Sequence, residues 1–203
     1  MTAAGEHAYA VHDRVERFAG PMFRVVTDRV AMPDGEIAER DYLRHVGAVA
    51  VVPYDEAADE VVLVRQYRHP VGGPLWELPA GLVDVAGETL AEVAARELAE
   101  ETDLTCARLD LLLDLHPTPG CSDERIRIFL GRDLRPSAQP HPRRHEEATM
   151  VVARIPLARA VAMVFAGEVT NGAAVAGVLA TVRARDAGWA PLRAAGPVPP
   201  AVE

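Results

Sequence analysis

The chain has 203 residues, of which 49% are hydrophobic and 25% are charged, the usual balance of a globular protein that buries a core. This composition excludes a collagen, a coiled coil and a wholly disordered chain. The formal net charge of −9 gives no general attraction to nucleic acid or to an anionic membrane, so we expect neither as a partner. An anionic substrate would need a local arginine cluster or a metal ion.

The cysteines and the uncharged stretches indicate the cellular compartment in which the protein is located. Cys106 and Cys121 form no CxxC pair and suggest neither a disulfide framework nor a zinc site, which favours a reducing environment. The first 14 residues lack the apolar core of a signal peptide. The longest uncharged run, residues 171–182, is shorter than the roughly 18 residues of a membrane span. We expect a cytoplasmic protein that is neither exported nor inserted into a membrane.

The chain shows no internal repeat, and we expect one main domain at residues 46–190. An N-terminal strand segment at 1–45 precedes it, and a flexible proline-containing tail at 191–203 follows it. Strands with interleaved helices, but without strict alternation, predict an α/β fold around a mixed sheet.

The elements follow from periodicity and from turn residues. Residues 1–20 are polar and weakly patterned, and a turn signal lies at Pro33-Asp34-Gly35. The β-branched runs 46–52 and 61–64 predict a hairpin. Further strands are predicted at 22–32, 39–45, 109–115, 125–130 and 150–154. Helices are predicted at 89–102, 156–166 and 171–187, the last capped by Asn171 or Thr170 and ended by Gly188.

The helix predicted at 89–102 carries carboxylates on its apolar face. On a helical wheel its apolar arc is formed by Leu90, Val93, Ala94 and Leu98. Glu97 and Glu101 lie within that arc and Glu100 lies at its edge. Buried carboxylates are costly, and Glu97 and Glu101 repel each other at a spacing of four residues, so a cation must sit there. The cation is either Arg96 on the flank, in a structural salt bridge, or a divalent metal; three hard oxygen ligands favour Mg²⁺ or Mn²⁺.

This helix belongs to a longer pattern: Gly81, six residues, Glu88, seven residues, and the sequence RELAEETDL at 96–104. The pattern resembles the Nudix box, GX5EX7REUXEEXGU, the signature of hydrolases that cleave a nucleoside diphosphate linked to another group. Two departures are present: one extra residue before Glu88, and Asp103 where the box has its late glycine. Aspartate tolerates positive φ better than most residues, and neither departure removes a carboxylate.

Within that superfamily, residues 22–188 resemble the ADP-ribose pyrophosphatases. The resemblance is carried by the segments 66–69, 75–81 and 116–124, and by Pro119, fifteen residues after Leu104. Pro119 and Gly120 are also the composition of an ordinary turn before a strand. The resemblance implies a Nudix-type α/β/α sandwich around a mixed β-sheet, with an N-terminal antiparallel strand segment that forms a homodimer.

The resemblance also implies the metal ligands and the catalytic residues. Mg²⁺, with Mn²⁺ as a substitute, would be held by Glu97, Glu100, Glu101 and the backbone carbonyl of Ala80. It would neutralise phosphoryl oxygens and activate a water. Arg96, Glu97 and Glu101 are catalytic candidates together with the general base, which is placed in the loop 145–148. Glu147 is the chosen base and Glu146 the fallback; without the family, both are acids of a solvated loop.

The substrate contacts are expected from the same resemblance. Arg68 follows a strand and is assigned to the diphosphate, although an exposed arginine at a strand end is the simpler interpretation. Arg40 and Phe23 are assigned to the adenosine half, with Phe23 equally placed to be core. The segment Ser122, Asp123 and Glu124 is assigned to the terminal ribose or to the metals.

The leading hypothesis is Mg²⁺-dependent hydrolysis of ADP-ribose to AMP and ribose 5-phosphate. A first alternative is hydrolysis of another nucleoside diphosphate sugar, because the box addresses the diphosphate and says little about the sugar. A second is a non-catalytic Nudix module that senses a ligand. The retained Glu97, Glu100 and Glu101, and a tail without a helix-turn-helix pattern, disfavour the sensor.

Overall fold

The computed structural model describes residues 8–85, 87–138 and 149–195. The chain divides into two compact units. The first, called the N-terminal unit below, consists of Met1–Val46 and Thr118–Glu124; the second, called the main unit, consists of Gly47–Pro117 and Arg125–Glu203. Among the described residues, no helix is both long enough and apolar enough to cross a membrane.

The N-terminal unit is an antiparallel sheet of three strands in the order β1-β2-β3. They are β1 (Val11–Ala19), β2 (Phe23–Ala31) and β3 (Ile37–His45). The strands predicted at 22–32 and 39–45 are confirmed, whereas β1 was not predicted because most of its positions are charged or polar. Arg14 joins β1 to the buried Asp28 of β2 through two hydrogen bonds of 2.7 and 2.8 Å. The segment Thr118–Glu124 lies beside β3, where the Leu43 N–H donates to the Cys121 carbonyl oxygen at 2.9 Å.

The main unit contains a mixed sheet in the order β10-β5-β4-β9-β8-β11, with β6 paired to β5 and β7 paired to β4. Only the pairing of β4 with β9 is parallel among the pairings described for this sheet. Its strands are β4 (Ala48–Asp55), β5 (Glu60–Arg68), β6 (Gly73–Glu77), β7 (Ala80–Leu82), β8 (Leu104–Leu115), β9 (Ile126–Pro136), β10 (Val151–Pro156) and β11 (Arg193–Ala194). The helices are α1 (Leu90–Thr102), α2 (Leu157–Phe165) and α3 (Gly172–Asp186), with a short 3-10 turn at His69–Val71.

Alternation along β4 divides the core into two layers. Val49 and Val51 pack in a cluster with α1, whereas Val52 packs on the opposite face in a cluster with residues of α2 and α3. Successive side chains of a strand point to opposite faces, so this uninterrupted apolar strand is covered by helices on both sides. The α/β/α sandwich around a mixed sheet is confirmed.

The three predicted helices are confirmed with small shifts at their ends. Asn171 caps α3 by accepting a hydrogen bond from the Ala174 N–H at 3.0 Å, as predicted. Gly188 follows α3 with a φ of 60°. The predicted hairpin is formed only at its turn, where Tyr54 pairs with Val61.

Beyond that turn, β4 and β5 no longer pair with each other, because each of them pairs with another strand. β7 pairs with residues 48–50 of β4, and β6 pairs with residues 64–68 of β5. Neither short strand was predicted. The tail was expected to be irregular throughout, but Arg193 and Ala194 form β11 against Leu111 and Asp110 of β8. Residues 196–203 of that tail lie outside the described residues.

Candidate active site

Helix α1 begins and ends with local hydrogen bonds that fix its position in the chain. Thr89 forms a capping box with Glu92: the Thr89 Oγ1 accepts from the Glu92 N–H, and the Glu92 carboxylate accepts from the Thr89 N–H at 2.7 Å. Asp103 ends the helix in the left-handed conformation, with φ 57° and ψ 30°. This is the position where the box has glycine, and the structure confirms that Asp103 adopts the positive φ.

The three box glutamates of α1, Glu97, Glu100 and Glu101, are buried in the order that the helical wheel predicts. Glu101 is 6% exposed, and the side chain of Glu97 is 14% exposed. The side chain of Glu100, at the edge of the apolar arc, is 39% exposed. The helix thus turns two carboxylates towards the protein interior and keeps the third at the rim.

Strand β7 packs directly against these carboxylates. The Ala80 N–H donates to Oε2 of Glu101 at 3.0 Å. A Cβ on Gly81 would lie 2.6 Å from Cγ of Glu97 and would overlap its carboxyl group, so only glycine leaves room for that side chain. Ala80 and Gly81 therefore fix the lateral positions of Glu101 and Glu97.

Arg96 is the cation nearest to the glutamates in this conformation. Its Nη1 donates to Glu97 at 2.7 Å and to Glu100 at 3.3 Å, and its Nη2 donates to Glu88 at 3.3 Å. Burial raises the pKa of Glu97; the charge of Arg96 opposes this rise, and the charges of Glu100 and Asp84 add to it. The salt-bridge network that the sequence left open is therefore present.

The donor set suits a hard divalent cation in the type of its ligands, although not in their arrangement in this structure. Across residues 8–85, 87–138 and 149–195, no group of three acidic, histidine or cysteine side chains is arranged as metal ligands. The three glutamates offer only carboxylate oxygens, the ligands that Mg²⁺ and Mn²⁺ prefer. The raised pKa of Glu97 shows a buried carboxylate whose charge is only partly compensated, although Arg96 is beside it. Such a site is electrostatically suited to a second cation.

Arg68, the residue predicted to bind a diphosphate, is anchored by a glutamate. Its Nε donates to the Glu77 carboxylate at 3.0 and 3.1 Å, and its Nη2 donates at 2.6 Å. The side chain of Arg68 is 45% exposed, and that of Glu77 is 4% exposed. Sequence reasoning did not single out Glu77, although a charged residue between Trp76 and Leu78 in an apolar stretch was a signal for it.

Comparison with known proteins identifies the family. A family model described as NUDIX domain matches residues 44–173. The chain belongs to the Nudix hydrolases. It is 43% identical over 175 residues to an ADP-ribose pyrophosphatase of Mycobacterium tuberculosis, covering 86% of this chain and 84% of that protein.

A second relative by sequence and a solved structure also match this chain. This Nudix hydrolase is 35% identical over 117 residues to a methanol dehydrogenase activator of Bacillus methanolicus, covering 58% of this chain and 62% of that protein. A crystal structure described as an ADP compounds hydrolase aligns with a TM-score of 0.76 and 21% identity, covering 92% of this chain and 100% of that one. The second match supports the fold.

Phe23 and Arg40 lie apart within the N-terminal unit of this Nudix hydrolase. Phe23 is 39% exposed and lines a cavity of about 320 Å³ whose walls also include Arg24 and Arg44. Arg40 is paired with Asp28 in the register of β2 and β3, five positions from Phe23, or roughly 17 Å along the strand. Its guanidinium donates to the Glu39 carbonyl oxygen at 2.9 Å. Within one copy of the sheet, these two residues do not meet.

The segment Ser122 to Glu124 is held against the end of β3. Oδ1 of Asp123 accepts from the His45 N–H at 2.7 Å, and Oε1 of Glu124 lies 4.0 Å from Nδ1 of His45. Oγ of Ser122 accepts from the Glu124 N–H at 3.0 Å. These contacts give the segment a structural role in the N-terminal unit. The candidate bases Glu146 and Glu147 lie outside the described residues.

Proposed function

We propose that this Nudix hydrolase cleaves the diphosphate of ADP-ribose to give AMP and ribose 5-phosphate. The burial of Glu97 and Glu101 against β7 is the observation that carries the proposal, because it concentrates negative charge where a cation is required. The 43% identity to a protein named ADP-ribose pyrophosphatase supports the choice of substrate.

We propose Mg²⁺ as the cofactor, with Mn²⁺ as a substitute, held by Glu97, Glu100, Glu101 and the carbonyl of Ala80. When bound, such a cation neutralises charge on phosphoryl oxygens and lowers the pKa of water. Arg96 orients Glu97 and Glu100 through its hydrogen bonds to both.

The remaining roles belong to residues that meet the substrate. Arg68 binds the diphosphate with its planar fork of donors. Glu147 accepts the proton of the attacking water, with Glu146 as the alternative base. Phe23 and Arg40 contact the adenosine half. The segment 122–124 contacts the terminal ribose or the metals.

The direct test is incubation of the purified chain with ADP-ribose and MgCl₂, with products separated by ion-exchange chromatography. We expect AMP and ribose 5-phosphate in equal amounts. A panel of nucleoside diphosphate sugars decides between ADP-ribose and the alternative substrates, which the box does not discriminate. A higher kcat/KM for another sugar would replace the proposed substrate.

The metal assignment is tested by Glu97→Gln and Glu101→Gln. Each variant removes one charge with little change of shape, and we expect kcat/KM to fall by at least about 10²-fold because substrate charge is no longer neutralised in place. Glu168→Gln is the matched control, since Glu168 is exposed and pairs with Arg159 on the surface. Undiminished hydrolysis in both box variants would remove the metal assignment, whereas a wild-type chain that hydrolyses none of the sugars would leave the sensing module as the better interpretation.

The base is tested by comparing Glu147→Gln with Glu146→Gln. Loss of a general base costs about 10²–10⁴ in rate, so one variant should lose activity and the other should keep it. Equal and small effects would exclude this loop as the source of the base.

We also propose a homodimer formed through the N-terminal unit. β1 is an edge strand whose nine residues are all exposed, among them Val11, Val15 and Phe18. An exposed edge that carries large apolar side chains is a surface for pairing with another chain. Light scattering after gel filtration should give twice the mass of 21.8 kDa, and Phe18→Glu should lower it. A monomer at micromolar concentration would refute the dimer.

A further inference from the structure

The ion pair of Arg68 with Glu77 is unequal in exposure. The carboxylate is 4% exposed, while the guanidinium is 45% exposed. Gln66 supplies a further hydrogen bond to the carboxylate, from Nε2 to Oε2 at 3.2 Å. A buried charge is costly unless it is paired, and a well-packed apolar pair is often as stable as a buried ion pair. Stability alone therefore gives little reason for a glutamate at this position.

The register of β5 and β6 explains how Glu77 reaches Arg68. Glu77 is opposite Val64, and Arg68 is opposite Gly73 four residues away on each strand. Residues at even spacing share one face of a sheet, so Gln66 and Arg68 extend from the same face as Glu77. Gly73 has no side chain, and a Cβ built there would meet no atom of the described residues within 4 Å. Position 73 therefore contributes no side chain beside Arg68.

The same short stretch connects Glu77 to the box. Glu77 is followed by Leu78, which is 1% exposed in the core, and Ala80 comes two residues later. Glu77 is separated by roughly 11 Å of main chain at most from Ala80, whose N–H donates to Glu101. The core side chain of Leu78, the pairing of β6 with β5 and the pairing of β7 with β4 hold this connection in place.

We propose that Glu77 is a positioning residue for substrate binding. It holds the guanidinium of Arg68 at a fixed angle so that the exposed edge faces the diphosphate, and Gln66 holds Glu77. The inference rests on the proposed function, because it requires that Arg68 binds the diphosphate of a substrate. Glu77 itself contacts no substrate and acts through Arg68.

The test is a double-mutant cycle of the full chain with Glu77→Gln, Arg68→Ala and both changes together, measured as kcat and KM for ADP-ribose. We expect Glu77→Gln to lower kcat/KM by about 10–100-fold, as losses of outer partners do, mainly through a higher KM. In the Arg68→Ala background, the same change should have no further effect, because Glu77 then has nothing to position. The double variant has no unpaired buried charge, so comparing it with Glu77→Gln reports the loss of Arg68 separately from any folding defect of Arg68→Ala.

Glu56→Gln is the matched control. Glu56 also forms an ion pair with an arginine, but here Arg132 is the buried partner, and Glu56 follows the end of β4 opposite to that paired with β7. We expect this variant to alter the unfolding midpoint and to leave KM unchanged. If Glu77→Gln lowers kcat/KM equally in both backgrounds, or leaves the KM of the wild-type background unchanged, the positioning role is wrong.

The outcome also separates this inference from the proposed function. A wild-type chain that hydrolyses another nucleoside diphosphate sugar refutes ADP-ribose as the substrate, and the cycle is then run with that sugar. A wild-type chain that hydrolyses none of them refutes both proposals. An active wild-type chain with an additive cycle refutes only the positioning role of Glu77.

Discussion

Replacing Gly81 by alanine should lower activity strongly and change the stability of the fold only slightly. The added Cβ would lie 2.6 Å from Cγ of Glu97 and closer still to its carboxyl group, whereas an ordinary contact begins at 3.4 Å. Since all three clashing atoms belong to the outer part of one side chain, Glu97 can rotate away and relieve the clash at little cost to the fold. The carboxylate then moves by about 1 Å or more, and a misplacement of that size costs about 10²-fold in rate.

Gly177→Ala is the control, because it should lower stability and leave activity unchanged. A Cβ there would lie 2.8 Å from Leu78 and 2.9 Å from Val52, both fixed in the core between α3 and the sheet. Overpacking of this kind destabilises a protein by about 1–3 kcal/mol. We expect Gly177→Ala to lower the free energy of unfolding and to leave kcat/KM near the wild-type value once the protein is folded.

The assay pairs urea denaturation with steady-state hydrolysis of ADP-ribose for the two variants. We expect Gly81→Ala to change the free energy of unfolding by less than about 1 kcal/mol while kcat/KM falls by about 10²-fold. Full activity of Gly81→Ala would show that the position of Glu97 does not matter for catalysis. A large loss of stability instead would show that Glu97 cannot rotate and that the site is packed like the core.

Three further predictions concern stability. Hydrogen bonds from Arg14 lower the pKa of Asp28 from its usual 3.8, so Asp28 stabilises the fold above that pH and loses its effect as the pH falls through the lowered pKa. Asp28→Asn should therefore cost about 1–3 kcal/mol at pH 7 and progressively less below pH 4, in denaturation series at each pH; a constant difference would contradict this. Thr89→Ala removes the capping box of α1 and should cost about 1 kcal/mol in thermal unfolding, with no loss meaning that tertiary contacts alone hold the helix start. Asp103→Gly should change stability by less than about 1 kcal/mol, because relief of positive φ is offset by the freedom of glycine when unfolded, whereas Asp103→Val should destabilise clearly.

The features that sequence predicted best are those with a local physical cause. The span of α1 follows from apolar residues at helical spacing, from Thr89 as its cap and from Asp103 in the left-handed conformation. The burial order of Glu101, Glu97 and Glu100 follows from the same periodicity. These predictions need only the angle per residue and the preferences of a few residue types.

The features that sequence did not predict depend on distant partners. β1 has no apolar alternation, and its pairing with β2 is supported by Arg14 reaching a buried carboxylate fourteen residues away. β6 and β7 are short, and they exist because they pair with different strands of the predicted hairpin. The role of Glu77 can be recognised only once β5 and β6 are in register, because it depends on Arg68, which lies nine residues earlier in the sequence. Long-range pairing of this kind leaves no period in the sequence.

Gly81 and the box glutamates of α1 are far apart in the sequence but pack against each other in the structure. Gly81 is glycine because Glu97 occupies the place of its Cβ, and Glu101 is buried where the Ala80 N–H can meet it. The extra residue before Glu88 falls in the connection between β7 and α1, outside both contacts, and therefore leaves them intact. An insertion within α1 itself would rotate the later glutamates by about 100° around the helix axis and remove Glu101 from Ala80. The length of the connection can thus vary, whereas the spacing of the acids along the helix cannot.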